Sequence, residues 1–210
     1  LVVLLTRLLG GRWRVGLFAA VLVVPTFGRD AMLGTNPIAM AAPAGEERPF
    51  VLDMATSTVP RGKLEVYDRL GKAMPLGWAT DEAGAPTADP RRVLENLLEG
   101  RDGGLLPLGG AGESSGGYKG YGLALLVDIL SALLSGAAYA NRVYPQASDG
   151  RPLPSDTGHF FGAWRVDAFR PAGEFRAAMD DLQRLIRETP RAKGQERVYI
   201  HGEPEYERTD

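Results

Sequence analysis

Residues 105–122 read LLPLGGAGESSGGYKGYG: a short apolar run, a glycine-rich loop, and a lysine where a helical pattern begins. With so few Cβ atoms in the way, the loop's backbone N–H groups can close on an anion, and Lys119 adds a positive charge at the same place. The residues favour a phosphate cradle between a strand and a helix, with a flexible surface turn as the rival reading.

Downstream of the loop, Leu123, Leu126, Val127, Leu130, Leu133 and Leu134 recur at helical intervals until Gly136. This predicts a largely buried helix over 118–135. Upstream, 33–43 and 49–54 are short apolar runs bounded by Gly and Pro, as buried strands are. The segment 55–70 carries Val59, Leu64, Val66 and Leu70 at helical spacing, with Gly71 as its stop. Asp89 and Pro90 form an N-cap and first-turn pair opening a helix over 91–99, which Gly100 closes. Beyond the glycine loop, 141–155 is rich in Pro, Asp and Ser and reads as a loop, and 159–167 alternates like a strand. A helix fits 173–188, with Phe175, Met179, Leu182 and Ile186 on one stripe, and 197–201 reads as a last strand. Interleaved strands and helices argue for an α/β sandwich over a helical bundle.

Composition narrows the function classes. The chain has 210 residues, 44% hydrophobic and 24% charged, enough for one domain of moderate size or a domain with an appendage. A net charge of −2 gives no general attraction for nucleic acid. The absence of cysteine excludes disulfides and thiolate metal sites and is compatible with a reducing cytoplasm. His159 and His201 are the only histidines, so a multi-histidine metal site is not expected. Residues 1–24 are an atypical apolar segment with Arg12, Trp13 and Arg14 between two apolar runs. The second run is shorter than the roughly 20 residues needed to span a bilayer. A buried strand or the stump of a longer chain is favoured over a secretory signal.

Both standard nucleotide motifs fail in detail. Gly110, Gly112 and Gly116 imitate a Rossmann fingerprint, but the acidic residue expected at the end of a second strand is missing, and Asp128 falls inside the helical run. A P-loop is not satisfied either, because Tyr118 separates glycine from lysine and no Ser or Thr follows to hold magnesium.

The loop belongs to an ordered series: LGTNP (33–37), DMATS (53–57), RGK (61–63), PLGWATD (75–81), PTADP (86–90), LPLGG (106–110) and YKGYGL (118–123). From about Pro25 to Glu205 this series resembles the malate/L-lactate dehydrogenase family, with its sulfolactate-dehydrogenase-like fold. The resemblance implies a three-layer α/β sandwich with a mixed sheet rather than a Rossmann fold, and residues 25–210 as an NAD(P)-binding domain. The implied activity is hydride transfer between NAD or NADP and a 2-hydroxy acid or its 2-keto acid. It also implies a cytoplasmic homodimer, with no nucleic-acid or membrane partner.

Carried over by motif, Asp53, Met54, Ala55, Thr56, Ser57 and Thr58 match the family's cofactor-binding strand and helix start. Hydroxyl side chains at a helix N-terminus would leave backbone N–H groups for an anion, while plain capping by Ser57 and Thr58 is the rival. Tyr118 and Lys119 match the family's cofactor-contacting turn, where an ammonium meets a phosphate as a point charge. His201, Gly202 and Glu203 in VYIHGEPE match a segment usually ending PGEPE, with His201 in place of the proline. Thr35 and Asn36 match positions near the nicotinamide and substrate, although Pro37 predicts an extended backbone and a structural turn at Asn36. Trp78 and Asp81 are expected to pack and turn, and His159 to bond to backbone. The DMATS and YKGYG segments are expected to share one crevice.

No residue here matches the upstream region that supplies the family's catalytic histidine and substrate-binding arginine. The expectation is therefore a fragment of a longer enzyme with negligible turnover of its own and no catalytic or metal-binding residue in this chain. The alternative is a non-catalytic nucleotide-binding remnant or a subunit-pairing fragment.

Overall fold

The computed structural model describes residues 21–208, so of the atypical segment 1–24 only the last four residues lie inside the described region. Along the chain run β1 (Ile38–Ala42), β2 (Phe50–Met54), α1 (Arg61–Arg69), β3 (Ala79–Thr80), α2 (Pro90–Glu99), β4 (Gly104–Leu105), α3 (Gly117–Asp128), α4 (Ala172–Arg187) and α5 (Glu203–Tyr206). A π-helical turn, Ile129–Leu133, continues α3. The described residues form two compact units, one of 21–37 with 55–160, the other of 38–54 with 161–208.

In the larger unit, Val23 pairs antiparallel with Leu33 and parallel with Leu105, and β3 pairs antiparallel with β4 through Ala79 and Leu105. Around this mixed pairing packs a core of Leu22, Val23, Leu33, Leu64, Ala79, Val93, Leu97 and Leu105, with Tyr67 and Trp78 edge to face at its margin. Helix α2 is built as its sequence prescribes. Asp89 accepts a hydrogen bond from the Arg92 N–H, Pro90 opens the first turn, and Gly100 closes the helix at φ 66°. Its Val93, Leu94 and Leu97 face the core.

Helix α3 departs from expectation. It is helical where predicted, but its buried side is Gly117, Gly120, Ala124 and Val127, continued by Ser131 and Ala132 in the π turn. The leucines face outward, with Leu133 53% and Leu134 70% exposed. The predicted burial of the leucine stripe is thus wrong, because this helix packs against main chain. A Cβ on Gly120 would lie 2.1 Å from the Leu108 carbonyl oxygen, and one on Gly117 would lie 2.0 Å from that of Gly110.

The helix predicted over 55–70 also needs correction, since it starts only at Arg61, with Pro60 as its cap. β-Branched Thr56, Thr58 and Val59, followed by a proline without an N–H, favour extended backbone before it.

In the smaller unit, β1 and β2 form an antiparallel hairpin running from Ile38 opposite Met54 to Ala42 opposite Phe50. Helix α4 matches its predicted span, but Asp180 and Gln183 are its buried residues, while Leu182 and Ile186 are exposed. The polar pair serves the hairpin loop. Asp180 accepts hydrogen bonds from the N–H groups of Gly45, Glu46 and Glu47, and Gln183 donates to the Arg48 carbonyl. The strands predicted at 159–167 and 197–201 are not formed. The first holds a 3-10 turn, Val166–Ala168, and the second runs beside β2 with a single bond, from the Val51 N–H to the His201 carbonyl. Alternation supplies the face of a strand but does not by itself build a ladder.

Candidate functional site

In the larger unit three of the motifs, LGTNP, DMATS and LPLGG, are tied together by hydrogen bonds. The Thr56 N–H and hydroxyl both donate to the Thr35 carbonyl, at 2.8 and 3.2 Å, and Thr56 is 1% exposed. The Thr56 carbonyl accepts from the Leu108 N–H at 2.8 Å, and the Thr58 N–H donates to the Leu106 carbonyl at 2.9 Å. The Thr58 hydroxyl donates to the Pro107 carbonyl at 2.5 Å, opposite the isolated bridge between Ser57 and Pro107. The TST edge of DMATST is therefore zipped to LPL of LPLGG. Helix α3 then lies on Leu108 through Gly120.

This geometry corrects the role expected of the three hydroxyls. Ser57 donates to the Val59 carbonyl, so none of the three caps a helix, and the N–H groups of Thr56 and Thr58 are engaged by protein carbonyls. Helix α1 begins beyond them with no side-chain cap.

Asn36 completes the cluster. Its side-chain amide donates to the Ala124 carbonyl at 2.9 Å and to Asp128 Oδ1 at 2.8 Å, fastening LGTNP to α3. Its φ of 39° is left-handed, against the extended backbone expected before Pro37. Asparagine tolerates that region, and the two bonds into α3 hold it there.

The glycine loop is partly filled by its own chain. Cβ atoms on Gly109, Gly110 and Gly117 would collide with the backbones of Gly116, Gly77 and Gly110, respectively. Gly112 is nearly open, with only the Phe27 ring edge at 3.9 Å, and Gly116, at φ 78°, faces the Lys119 stem. Helix α3 begins with no side-chain cap at Gly116. Lys119, exposed in its first turn, holds its ammonium 5.8 Å from the Tyr118 ring centroid. An uncapped helix start, a loop short of Cβ atoms and an ammonium form a place where an anion is welcome. Trp78 packs as expected and Asp81 accepts bonds from Ala83 and Ala85 in a turn.

In the smaller unit, Asp53 and Met54 end β2 opposite Ala39 and Ile38. Phe50 and the His201 ring meet edge to face at 6.0 Å. Gly202 takes φ 97° with its Cα against Val51, which a Cβ would meet at 3.2 Å. Glu203 has both oxygens engaged, Oε1 by Arg187 at 2.6 Å and Oε2 by the Ile200 N–H at 2.8 Å. Arg187 also reaches Glu47 at 2.8 Å, and Arg184 bonds Glu46 and Glu47. Arg187 and then Arg184 hold the Glu47 carboxyl below its usual range, and the N–H groups of Glu46, Glu47 and Gly45 do the same for Asp180. Sequence reading missed Arg187, Glu47 and Asp180, because partners more than a hundred positions apart leave no local pattern.

Among the described residues no cluster of three or more His, Asp or Glu side chains is placed to hold a metal ion, and no helix is long and apolar enough to cross a membrane. His159 lies in the larger unit, next to Gly158, whose Cα is pressed against the Ser131 carbonyl.

The likeness to known proteins extends over nearly the whole chain. It is 47% identical over 182 residues to malate dehydrogenase of Pyrococcus abyssi, an alignment covering 87% of this chain and 47% of that protein. Its fold matches the crystal structure of malate dehydrogenase from Entamoeba histolytica with a TM-score of 0.77 at 40% identity, covering 89% of this chain and 51% of the other. The sulfolactate dehydrogenase of Methanocaldococcus jannaschii matches with a TM-score of 0.74 at 34% identity, over 90% and 49% of the two chains. The chain thus spans about half the length of the relatives it matches. With helices and strands mixed as in those dehydrogenases, and the malate/L-lactate dehydrogenase family profile matching residues 17–210, the chain belongs to that family.

Proposed function

We propose that this chain carries the cofactor-binding part of an oxidoreductase that moves a hydride between NAD or NADP and a 2-hydroxy acid or its 2-keto acid. The observation that carries the proposal is the zipping of Thr35 and Asn36, Thr56 to Thr58, Leu106 to Leu108 and α3 into one hydrogen-bonded cluster. A dinucleotide fits the residues present there: the ammonium of Lys119 and the uncapped start of α3 suit a pyrophosphate. The bound nicotinamide supplies the hydride chemistry, and the protein supplies position and charge.

In this proposal the cofactor contacts are Asp53, Met54, Ala55, Thr56, Ser57, Thr58, Tyr118, Lys119, His201, Gly202 and Glu203. Thr35 and Asn36 face substrate. The engaged hydroxyls of Thr56, Ser57 and Thr58 act by shaping the main chain the ligand meets, and Glu203, held by Arg187 and Ile200, acts by fixing the Gly202 turn. No catalytic acid or base is assigned to this chain. The mixed pairing at Val23 and Leu105 supports a three-layer sandwich with a mixed sheet. A homodimer in the cytoplasm completes the proposal.

The test is a titration with NADH or NADPH followed by nicotinamide fluorescence. Replacing Lys119 with Ala is expected to weaken binding by about 1.5–3 kcal/mol, the worth of one charge-assisted contact. Equal affinity in wild type and Lys119→Ala removes Lys119 from the site, and no binding by the wild type removes the cofactor reading.

A further inference from the structure

We propose that Asp128 is a positioning residue that fixes the amide of Asn36 with its oxygen toward the ligand, so that this subsite selects a hydrogen-bond donor. The inference rests on the reading of Asn36 as a ligand contact. The amide's partners are asymmetric.

The Ala124 carbonyl and the Asp128 carboxylate, at 2.9 and 2.8 Å, are both acceptors. Only the amide nitrogen, with its two hydrogens, can face them, so a flipped amide would set oxygen against oxygen twice. Asp128 is itself pinned, because its other oxygen accepts from the Ala140 N–H at 3.2 Å. It stands where α3 passes into the π turn Ile129–Leu133, a helix distortion frequent at functional sites. The backbone of Asn36, at φ 39°, is in a region that non-glycine residues rarely occupy and that clusters at ligand-binding positions. With both Nδ2 hydrogens committed, Oδ1 is what the partly buried Asn36 has left to offer, and it accepts only.

A ligand group meeting Oδ1 must therefore donate. Two groups of the proposed reaction qualify: the carboxamide NH2 of the nicotinamide, and the hydroxyl of a 2-hydroxy acid. The keto oxygen of the oxidised acid brings only lone pairs.

Calorimetric titration of the full chain separates the two sources. One arm compares NADH with reduced 3-acetylpyridine adenine dinucleotide, whose methyl ketone lacks the donor. The other compares L-malate with succinate, which lacks the hydroxyl, at saturating NADH. The wild type is expected to prefer the donor-bearing ligand in one arm by about three- to tenfold, the range of a single hydrogen bond. The arm that shows the preference names the donor.

Asp128→Ala should level that preference, and Asp128→Asn, which keeps an acceptor for Asn36, should retain part of it. Asn36→Gly suits the left-handed backbone and should level the preference as well, which ties it to the amide, and Asp128→Asn carries the test of Asp128 if Asp128→Ala does not fold. Loss of affinity by one common factor for both members of the selective pair would mark Asp128 as structural only and overturn the proposal. So would a wild type that shows no preference in either arm. A wild type that binds no dinucleotide brings down the cofactor reading itself, a result distinct from the other two.

Discussion

Helices α2 and α3 both carry leucines at helical spacing, yet they pack by opposite rules. In α2 the large apolar residues Val93, Leu94 and Leu97 enter the core. In α3 the buried stripe is Gly117, Gly120, Ala124 and Val127, and the leucines are outside. The difference lies in what each helix meets. Helix α2 meets side chains, which interdigitate and reward bulk. Helix α3 meets the main chain of the LPLGG segment, where the absence of a side chain permits contact. The contact that needs small residues is also the one that joins α3 to the candidate site, so there the requirements of packing and of site geometry coincide.

The sharpest way to break this comparison is at Gly120. Its Cβ would lie 2.1 Å from the Leu108 oxygen and 2.5 Å from the Leu108 nitrogen, and backbone cannot rotate away as a side chain can. Gly120→Val is expected to cost more than about 4 kcal/mol, read as loss of the folded fraction in urea. A cost below about 1 kcal/mol would mean that α3 does not lie on Leu108. Next is Leu97→Ala in α2, which removes a buried side chain from the cluster around Val93 and Leu105. A loss of about 2–4 kcal/mol in the same experiment is expected, from lost transfer energy and the cavity left behind. The third change reverses the sign. Gly122 is two residues from Gly120, on the exposed side with nothing within 4 Å of a Cβ. Gly122→Ala should raise stability by about 0.5–1 kcal/mol, because only helix propensity changes. A loss there would place unseen contacts on the outer face.

The same contrast explains what the sequence disclosed. Helix α2 was legible at both ends because its signals are local: Asp89 and Pro90 at one end and Gly100 at the other. The span of α4 was legible from the spacing of Phe175, Met179, Leu182 and Ile186, and the ordered motifs led to the family. Which side of α3 and α4 is buried was not legible, since hydrophobic spacing assumes an apolar partner. Helix α3 has a backbone partner and α4 has the N–H groups of the hairpin loop. Of the residues singled out by motif, Thr35, Thr56 and Thr58 have main chains hydrogen-bonded into one cluster, the last two with LPLGG. Their local conformation was misread, with a helix start in place of an edge at DMATS and an extended residue in place of a left-handed one at Asn36. In both cases a tertiary hydrogen bond decided the conformation: Leu106 and Leu108 for the edge, Ala124 and Asp128 for Asn36.

The smallest expected effect gives the most direct measure of the outer face of α3. Leu134 is 70% exposed just after the π turn, so it keeps most of its contact with water when the chain folds. Burial rewards a side chain only for the area it removes from solvent, and Leu134 removes little. Leu134→Ser should therefore change the unfolding free energy by no more than about 0.5 kcal/mol, against several for Leu97→Ala. Both changes truncate a leucine, one buried in α2 and the other exposed past the π turn, and burial is the main difference between the two sites. Should Leu134→Ser cost as much as Leu97→Ala, the leucine face of α3 would be covered in solution, and the rule drawn from the comparison would hold for the inner face of that helix only.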